Sequence, residues 1–453
     1  MRRQDREPTR KPPQHDFSSF VRYLNKVFDF RSLSDALQDS RHQPEISPAA
    51  VFRAVFHGFV FRLGSFQQLE SNIADRSFQR WLGVKRAFRD DVLRYSLCGF
   101  DVTALQAMLV QVNRTLKRNK ALDPGRVQGR MVAALDGIEV LSSYSRCCDS
   151  CLERTVPYVQ PDGSMKERTQ YYHQVVGCQV VSSPMKPVLG LEWRQPGEGE
   201  DTCARRLLTR LLDLYDGRFF DILLLDSLYP QAPLLRLTQE AGWDVVISLK
   251  QQRRDLYQDA MGLFQGRAPD LEFEPEEPDC HRRVRLWHAA DLPFSADYPL
   301  PMRVVLSQEQ LERQKIRGGQ SCTESTQQQW CWISTLTPSV PARLLWYLGH
   351  LRWKNENNGW NDLTQNFALK HGFLHACKHR PKTVSAEGKR EAVANHGLQA
   401  VALIRCLAFN LLSAFARLHS KLFRRYHLTV AEIARQLLRS LWKWSPPIRS
   451  PDL

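Results

Sequence analysis

The chain is poor in every signal that would direct it to a membrane or out of a cell. No apolar core follows Met1-Arg2-Arg3, so no secretory segment is read there. No uncharged apolar run spans a bilayer either: the most hydrophobic late stretch, Leu398 to Leu418, is interrupted by Arg405, Asn410 and Arg417. The 11 cysteines lack the density and regular spacing of a small disulfide scaffold, so they read as reduced thiols or metal ligands. A membrane partner is therefore not expected, and the cytoplasm is the expected location. Acidic residues are also in deficit, 48 against 63 Lys and Arg, and the resulting net charge of +15 favours a polyanionic partner, nucleic acid first.

At 453 residues and 43% hydrophobic content the chain can bury two or three packed units. Residues 1–15 are polar and rich in Arg and Pro, which reads as a disordered basic arm. Residues 16–125 carry helical periodicity. Ser47-Pro48 suits an N-cap and first-turn pair, and Gly64-Ser65, Asp75-Arg76 and Gly99-Phe100-Asp101 read as helix ends or turns, so a helical unit is expected, DNA-binding or else a plain scaffold. Pro124-Gly125 marks a linker, after which the period becomes strand-like. Strands are expected over Met131–Leu141, Tyr171–Ser182 and Val188–Arg194. Then follow a helix over Asp201–Asp216, a strand over Asp221–Asp226, a helix over Pro230–Ala241 and a strand over Asp244–Lys250. This is an α/β order, a mixed sheet flanked by helices, over 131–252. Residues 253–341 read as an inserted β-rich subdomain, with strands at Arg283–His288, Met302–Ser307 and Gln329–Ser334. Residues 342–425 return to helix, including an apolar helix Val401–Leu418 expected to pack on the sheet, and 426–453 form a last helix and a loose tail.

Two apolar strands run into aspartates, Leu135-Asp136-Gly137 and Leu225-Asp226-Ser227, and Arg352-Trp353-Lys354-Asn355-Glu356-Asn357 supplies a late glutamate on a helix-like segment. Alone, Asp136-Gly137 reads as a turn. Together, three carboxylates can hold two divalent cations, which activate a water or a 3′-hydroxyl and stabilise in-line attack on a phosphodiester.

The order Asp, Asp, then Glu resembles the DDE transposases of bacterial insertion sequences, in particular the group with a β-rich insertion before the final glutamate. The resemblance is carried by Leu135 to Glu139, by Leu225 to Tyr229 with Val245 to Lys250, and by Arg352, Glu356 and Asn357. It implies a ribonuclease-H-like core and Asp136, Asp226 and Glu356 as catalytic ligands of two Mg²⁺ or Mn²⁺ ions. The implied partners are double-stranded DNA, as terminal inverted repeats and target, and a second copy of the chain in the end-paired complex. It also implies a bacterial protein, nucleoid-associated when bound to DNA. Three places depart from the pattern: Gly349 stands where the family often has tyrosine, Leu363 where it often has lysine, and Asn355 where it commonly has an apolar residue. These departures keep two alternatives in view, a decayed element product that only binds DNA and a metal-dependent nuclease that never joins strands.

Arg352 and Glu356 are four apart and share a helix face, where the arginine could grip a phosphate. Asn357, Lys370, Lys378 and Arg380 are the other candidate DNA or phosphate contacts, with a solvated helix end as the plainer reading. Lys370 would lie about 21 Å beyond Glu356 on a continuous helix, too far to replace the missing lysine. Trp353 and Trp360 are either core or base-stacking residues. Cys148-x-x-Cys151, with His173 and Cys178 on the next strand, is a candidate structural Zn²⁺ set, the alternative being reduced thiols.

Overall fold

The protein is described by a computed structural model covering residues 16–250, 255–277, 280–317, 320–355, 360–375, 382–384, 390–392, 396–418 and 428–443. The basic arm, the C-terminal tail, Glu356, Asn357, Lys378 and Arg380 lie outside these residues.

Seven helices come first: α1 (Phe17–Phe28), α2 (Phe30–Asp35), α3 (Pro48–Val60), α4 (Phe66–Ile73), α5 (Arg76–Leu82), α6 (Asp90–Cys98) and α7 (Val102–Arg118). Their starts follow local chemistry. Ser47 accepts the Ala50 N–H at 3.2 Å with Pro48 opening α3, and Ser65, Asp75 and Asp101 cap α4, α5 and α7. Every residue of α3 from Ala49 onward is buried, so α3 is a core helix rather than an amphipathic one.

The strands are β1 (Val132–Ser143), β2 (Leu152–Val159), β3 (Met165–Val180) and β4 (Val188–Trp193), followed by α8 (Glu200–Tyr215), β5 (Ile222–Leu225), α9 (Ala232–Glu240) and β6 (Asp244–Ser248). β3 pairs antiparallel with β1, β2 and β4, whereas β5 runs parallel to β1 on its other side and β6 runs parallel to β5. The hairpin arm formed by β2 and the first half of β3 was not expected, and its largely exposed faces explain why no apolar period marked it.

After α10 (Asp255–Phe264) come β7 (Leu271–Phe273) and three long strands, β8 (His281–Ser295), β9 (Tyr298–Arg317) and β10 (Gln320–Ser334). They do not form a separate sheet. β10 pairs antiparallel with β6, Ile333 opposite Ile247, so the insertion continues the central sheet. The strands are much longer than the expected apolar segments because their outer halves are polar and exposed.

The last helices are α11 (Ala342–Asn355), α12 (Asn361–Asn366), α13 (Gly397–Leu418) and α14 (Val430–Leu441), with a small β11 (Lys382–Val384) and β12 (Arg390–Ala392) pair before α13. α11 lies on one face of the sheet, over Val132, Ala134, Ile222, Leu224 and Val246. α8 packs on the opposite face, against β3 and β4. α13 corrects an expectation: its main neighbours are α3, α6 and α7, with β4 a lesser contact. By length and composition α13 could cross a membrane, yet it is packed inside this helical layer. Its polar interruptions have partners there. Asn410 bonds the Val188 N–H and carbonyl, each at 2.9 Å, and Asn113 at 3.0 Å, and Arg405 donates to the Leu369 and His371 carbonyls at 3.1 and 2.8 Å.

Glu309 ties the insertion to α11. Its carboxylate is enclosed and accepts from His350 Nε2 at 2.7 Å, Trp346 Nε1 at 2.8 Å and Ser307 Oγ at 2.8 Å, with Arg282 as ionic partner. Burial would raise its pKa, but these donors, His350 first, overcome that and hold it at about 2, below the ordinary 4.5. A depressed carboxylate stabilises the fold above its unfolded pKa. The contribution should therefore be complete above pH 4.5 and fade as pH falls toward 2. Glu309→Leu is expected to cost roughly 3–5 kcal/mol at neutral pH, because it leaves the buried His350, Trp346 and Ser307 donors unpaired and removes one of the two carboxylates that pair with Arg282. Urea unfolding across pH should show the deficit shrinking in acid.

Candidate active site

β1 and β5 pair in parallel at a constant offset, Val132 opposite Ile222, Ala133 opposite Leu223 and Ala134 opposite Leu224. Two residues further in that register stand Asp136 and Asp226. β5 stops at Leu225 while β1 continues to Ser143, so Asp136-Gly137 is not a turn: β3 holds it in the sheet, with Asp136 opposite Gly177. β1 is also where the strand order changes direction, with the first-formed strands on one side and β5 on the other. The crevice outside the carboxyl end of such a strand pair is where open α/β sheets take ligands.

Side-chain alternation assigns the faces. Val132 and Ala134, Ile222 and Leu224 lie under α11, so Asp136 and Asp226 belong to the same face. From α11, Arg352 reaches to 3.7 Å from Asp226 Oδ1, and Lys250, two residues past β6, lies 3.4 Å from the same oxygen. Among the described residues that buried oxygen has no partner in good hydrogen-bond geometry, and the two cations lie beside it. Burial would raise the Asp226 pKa, but the Ser227 N–H and the Arg352 and Lys250 charges bring it below the usual carboxylate value.

A third carboxylate, Glu200 at the first turn of α8, was not anticipated. Tyr229 donates its hydroxyl to Glu200 Oε1 at 2.5 Å, and Gln174 Nε2 donates to Oε2 at 2.7 Å. A Cβ at Gly137 would lie 2.5 Å from the Glu200 carboxylate, so Gly137 is the residue that admits it. The available signal was a glycine inside a strand, which often marks close approach by another group. Burial first, then Glu200, Asp136 and Asp226, keep the Tyr229 phenol protonated far above its ordinary pKa. Glu200 approaches from the α8 face, behind the two aspartates, with both its oxygens engaged.

Glu356 and Asn357 lie outside the described residues, but the residues four before and four after Glu356 are described. Arg352 is 6% exposed and faces Asp226; Trp360 is 4% exposed, and a Cβ on Gly177, the residue opposite Asp136, would lie 2.4 Å from its ring. Trp360 is thus a core residue, whereas Trp353 is 46% exposed. Lys370 is exposed in a turn after α12, so the continuous-helix distance expected for it does not apply. Leu363 is fully buried and could not be exchanged for a working lysine in place. Gly349 has a packing reason: a Cβ there would lie 2.3 Å from the Trp332 indole, so β10 fills the space a tyrosine would occupy.

The cysteine cluster needs a correction. Cys178 is fully buried on β3 and is not part of it. Cys148 and Cys151 in the β1–β2 turn, His173 on β3 and His375 after α12 come together, with their donor atoms all within 4.8 Å.

No family model matches the chain, and no curated protein matches it. Among solved structures it is similar to a piggyBac transposase synaptic complex with hairpin DNA, at 12% identity and a TM-score of 0.40 over 96% of this chain and 82% of that one. So slight a likeness carries no argument about this chain.

Gly349→Tyr is expected to destabilise the protein by about 1–3 kcal/mol through overpacking. Adding Trp332→Ala should recover part of that loss, read as coupling in a double-mutant cycle by denaturant unfolding.

Proposed function

We propose that the protein is a metal-dependent DNA transposase that cuts at the ends of an insertion element and joins the freed 3′ ends to target DNA, using Asp136, Asp226 and Glu356. The observation that carries this reading is the parallel register that brings two strand-end aspartates to one face, beside the buried arginine that precedes Glu356 by four residues. The strand order and directions of β4, β3, β1, β5 and β6, three antiparallel strands and then two parallel crossovers, are those expected of a ribonuclease-H-like core. The net charge of +15 suits a DNA partner.

The donor set fits hard divalent cations: carboxylates only, with a buried Asp226 oxygen that accepts no well-formed hydrogen bond from the described residues. Asp136, Asp226 and Glu356 would hold two Mg²⁺ or Mn²⁺, which supply activation of the attacking hydroxyl and neutralisation of charge at the phosphodiester. The chain's own residues do the rest. Arg352 and Lys250 keep Asp226 ionised and offer positive charge to a phosphate. The Tyr229–Glu200–Gln174 hydrogen bonds brace the strand behind Asp136. Trp332 packed against Gly349 is an accommodated substitution, which favours a working core over a decayed one. The location that goes with this reading is the cytoplasm of a bacterium, at the nucleoid when DNA is bound, with two copies pairing two ends.

Labelled DNA carrying the flanking repeat, incubated with Mg²⁺ or EDTA, tests the proposal. Asp136→Asn, Asp226→Asn and Glu356→Gln should each abolish cleavage while DNA binding persists, and Arg352→Ala should slow cleavage by roughly 10²-fold through lost positioning. Normal cutting by Asp136→Asn would overturn the assignment. Cutting without joined products would leave a nuclease, and binding without cutting by the wild type a DNA-binding product.

A further inference from the structure

Away from the carboxylates, two cysteines and two histidines from three separate parts of the chain meet. Cys148 Sγ and Cys151 Sγ are 3.6 Å apart. His173 Nε2 lies 3.3 Å from the first and 3.4 Å from the second, and His375 Nε2 lies 3.3 Å from Cys151 Sγ. Tetrahedral zinc with Zn–S near 2.3 Å and Zn–N near 2.0–2.1 Å sets edges of roughly 3.7 Å between two sulfurs and 3.5 Å between sulfur and nitrogen. These four edges agree within about 0.3 Å, inside the scatter accepted for such sites around ~0.2 Å per bond, and the other two, from His375 to Cys148 and to His173, lie within 4.8 Å. The two cysteines are free thiols, so no disulfide accounts for the approach. The Cys148 N–H donates to Cys151 Sγ at 3.2 Å and the turn is closed by Cys151 N–H to Cys148 O at 3.1 Å, an arrangement that holds Cys151 Sγ toward Cys148. The imidazoles stand nearly perpendicular, at 83°, which lets both present Nε2 to one point.

We propose that Cys148, Cys151, His173 and His375 form a structural Zn²⁺ site that staples the segment after α12 to the β1–β2 turn and β3. Binding would displace the thiol protons of Cys148 and Cys151, and with four protein donors no position stays open for chemistry. The staple has a placement consequence. His173 is four residues from Gly177 along β3, about 13 Å at strand rise, and Gly177 is the residue on which Trp360 packs. Trp360 and His375 thus fix both ends of the same stretch against one strand. The inference stands on the donor geometry and does not depend on the proposed reaction.

The test is the zinc content of the reduced, untagged full-length protein, with Co²⁺ exchange as spectroscopic probe. One Zn²⁺ per chain is expected, replaced by Co²⁺ with the visible bands of a tetrahedral two-thiolate centre. His375→Ala and Cys151→Ala should lose the metal on dialysis against chelator. His375→Cys, which restores a donor, and Cys178→Ala, which removes a cysteine outside the cluster, should retain it. Far-UV circular dichroism of each variant separates metal loss from misfolding. Wild-type protein that carries no zinc and takes up no Co²⁺ after reduction, a Cys148–Cys151 disulfide in its place, or equal metal loss in Cys178→Ala would each overturn the proposal.

Discussion

The parallel pairing of β1 with β5 is the constraint on which the site depends. Where they pair, over Val132–Leu135 and Ile222–Leu225, both strands are buried on both faces, so these stretches are continuous apolar runs and their register is held by packing above and below. A slip of one residue would send Asp136 and Asp226 to opposite faces. In the observed register they share the α11 face, at the point where β5 ends and β1 loses its neighbour on that side. The crevice is the direct result of one strand outlasting the other. Gathering carboxylates there is unfavourable by itself, and the buried Arg352 guanidinium is equally unfavourable by itself. Each makes the other tolerable, so the arginine is as much a condition of the site as an addition to it.

The insertion belongs to the same logic. Because β10 joins β6, the long strands are an extension of the sheet and fix a surface on which α11 can lie. Glu309 then pins α11 through His350 and Trp346, and Trp332 meets the helix at Gly349. These contacts sit within the same helix as Arg352. An apolar contact alone would let the helix slide or rotate; hydrogen bonds to a buried carboxylate specify both its height and its rotation, at the expense of burying charge. The insertion therefore acts on the candidate site through the helix it holds.

What could be read from the sequence followed burial and local chemistry. The strands β1, β4, β5 and β6 and the helices α8 and α9 were legible because each is an apolar run or an amphipathic period closed by a cap or turn. Ser47 announced a helix start, and Ser65, Asp75 and Asp101, read as helix ends or turns, are N-caps; all four mark boundaries because capping is a contact within four residues. The β2–β3 arm escaped because most of its residues face water, and the helical neighbours of α13 escaped because an apolar helix does not say what it packs on; Asn410 shows that it meets both layers, bonded to Asn113 of α7 and to Val188 of β4. The same holds for the metal cluster. Cys148 and Cys151 advertise themselves by spacing, whereas His375 is 224 residues from Cys151 and no motif reaches so far. Cys178 looked plausible beside His173, but with a strand period of 2 an offset of five residues turns it to the other face.

The two unanticipated glycine contacts bear on which glutamate completes the acid set. Gly137 admits Glu200 from the α8 face, while Gly177 admits Trp360 on the face that Asp136 shares, since directly paired residues of an antiparallel ladder point the same way. Glu200 is thus separated from Asp136 and Asp226 by the sheet itself and has both oxygens occupied by Tyr229 and Gln174. A ligand for a cation held by the aspartates has to come from the other side. There the chain arrives at Arg352, beside Asp226, and is next fixed at Trp360, against the residue opposite Asp136. Glu356 is midway between these two anchors in sequence, with four residues to either side. Glu200 is therefore not the third acid of the proposed set: the sheet lies between it and the aspartates, and Tyr229 and Gln174 already occupy its oxygens.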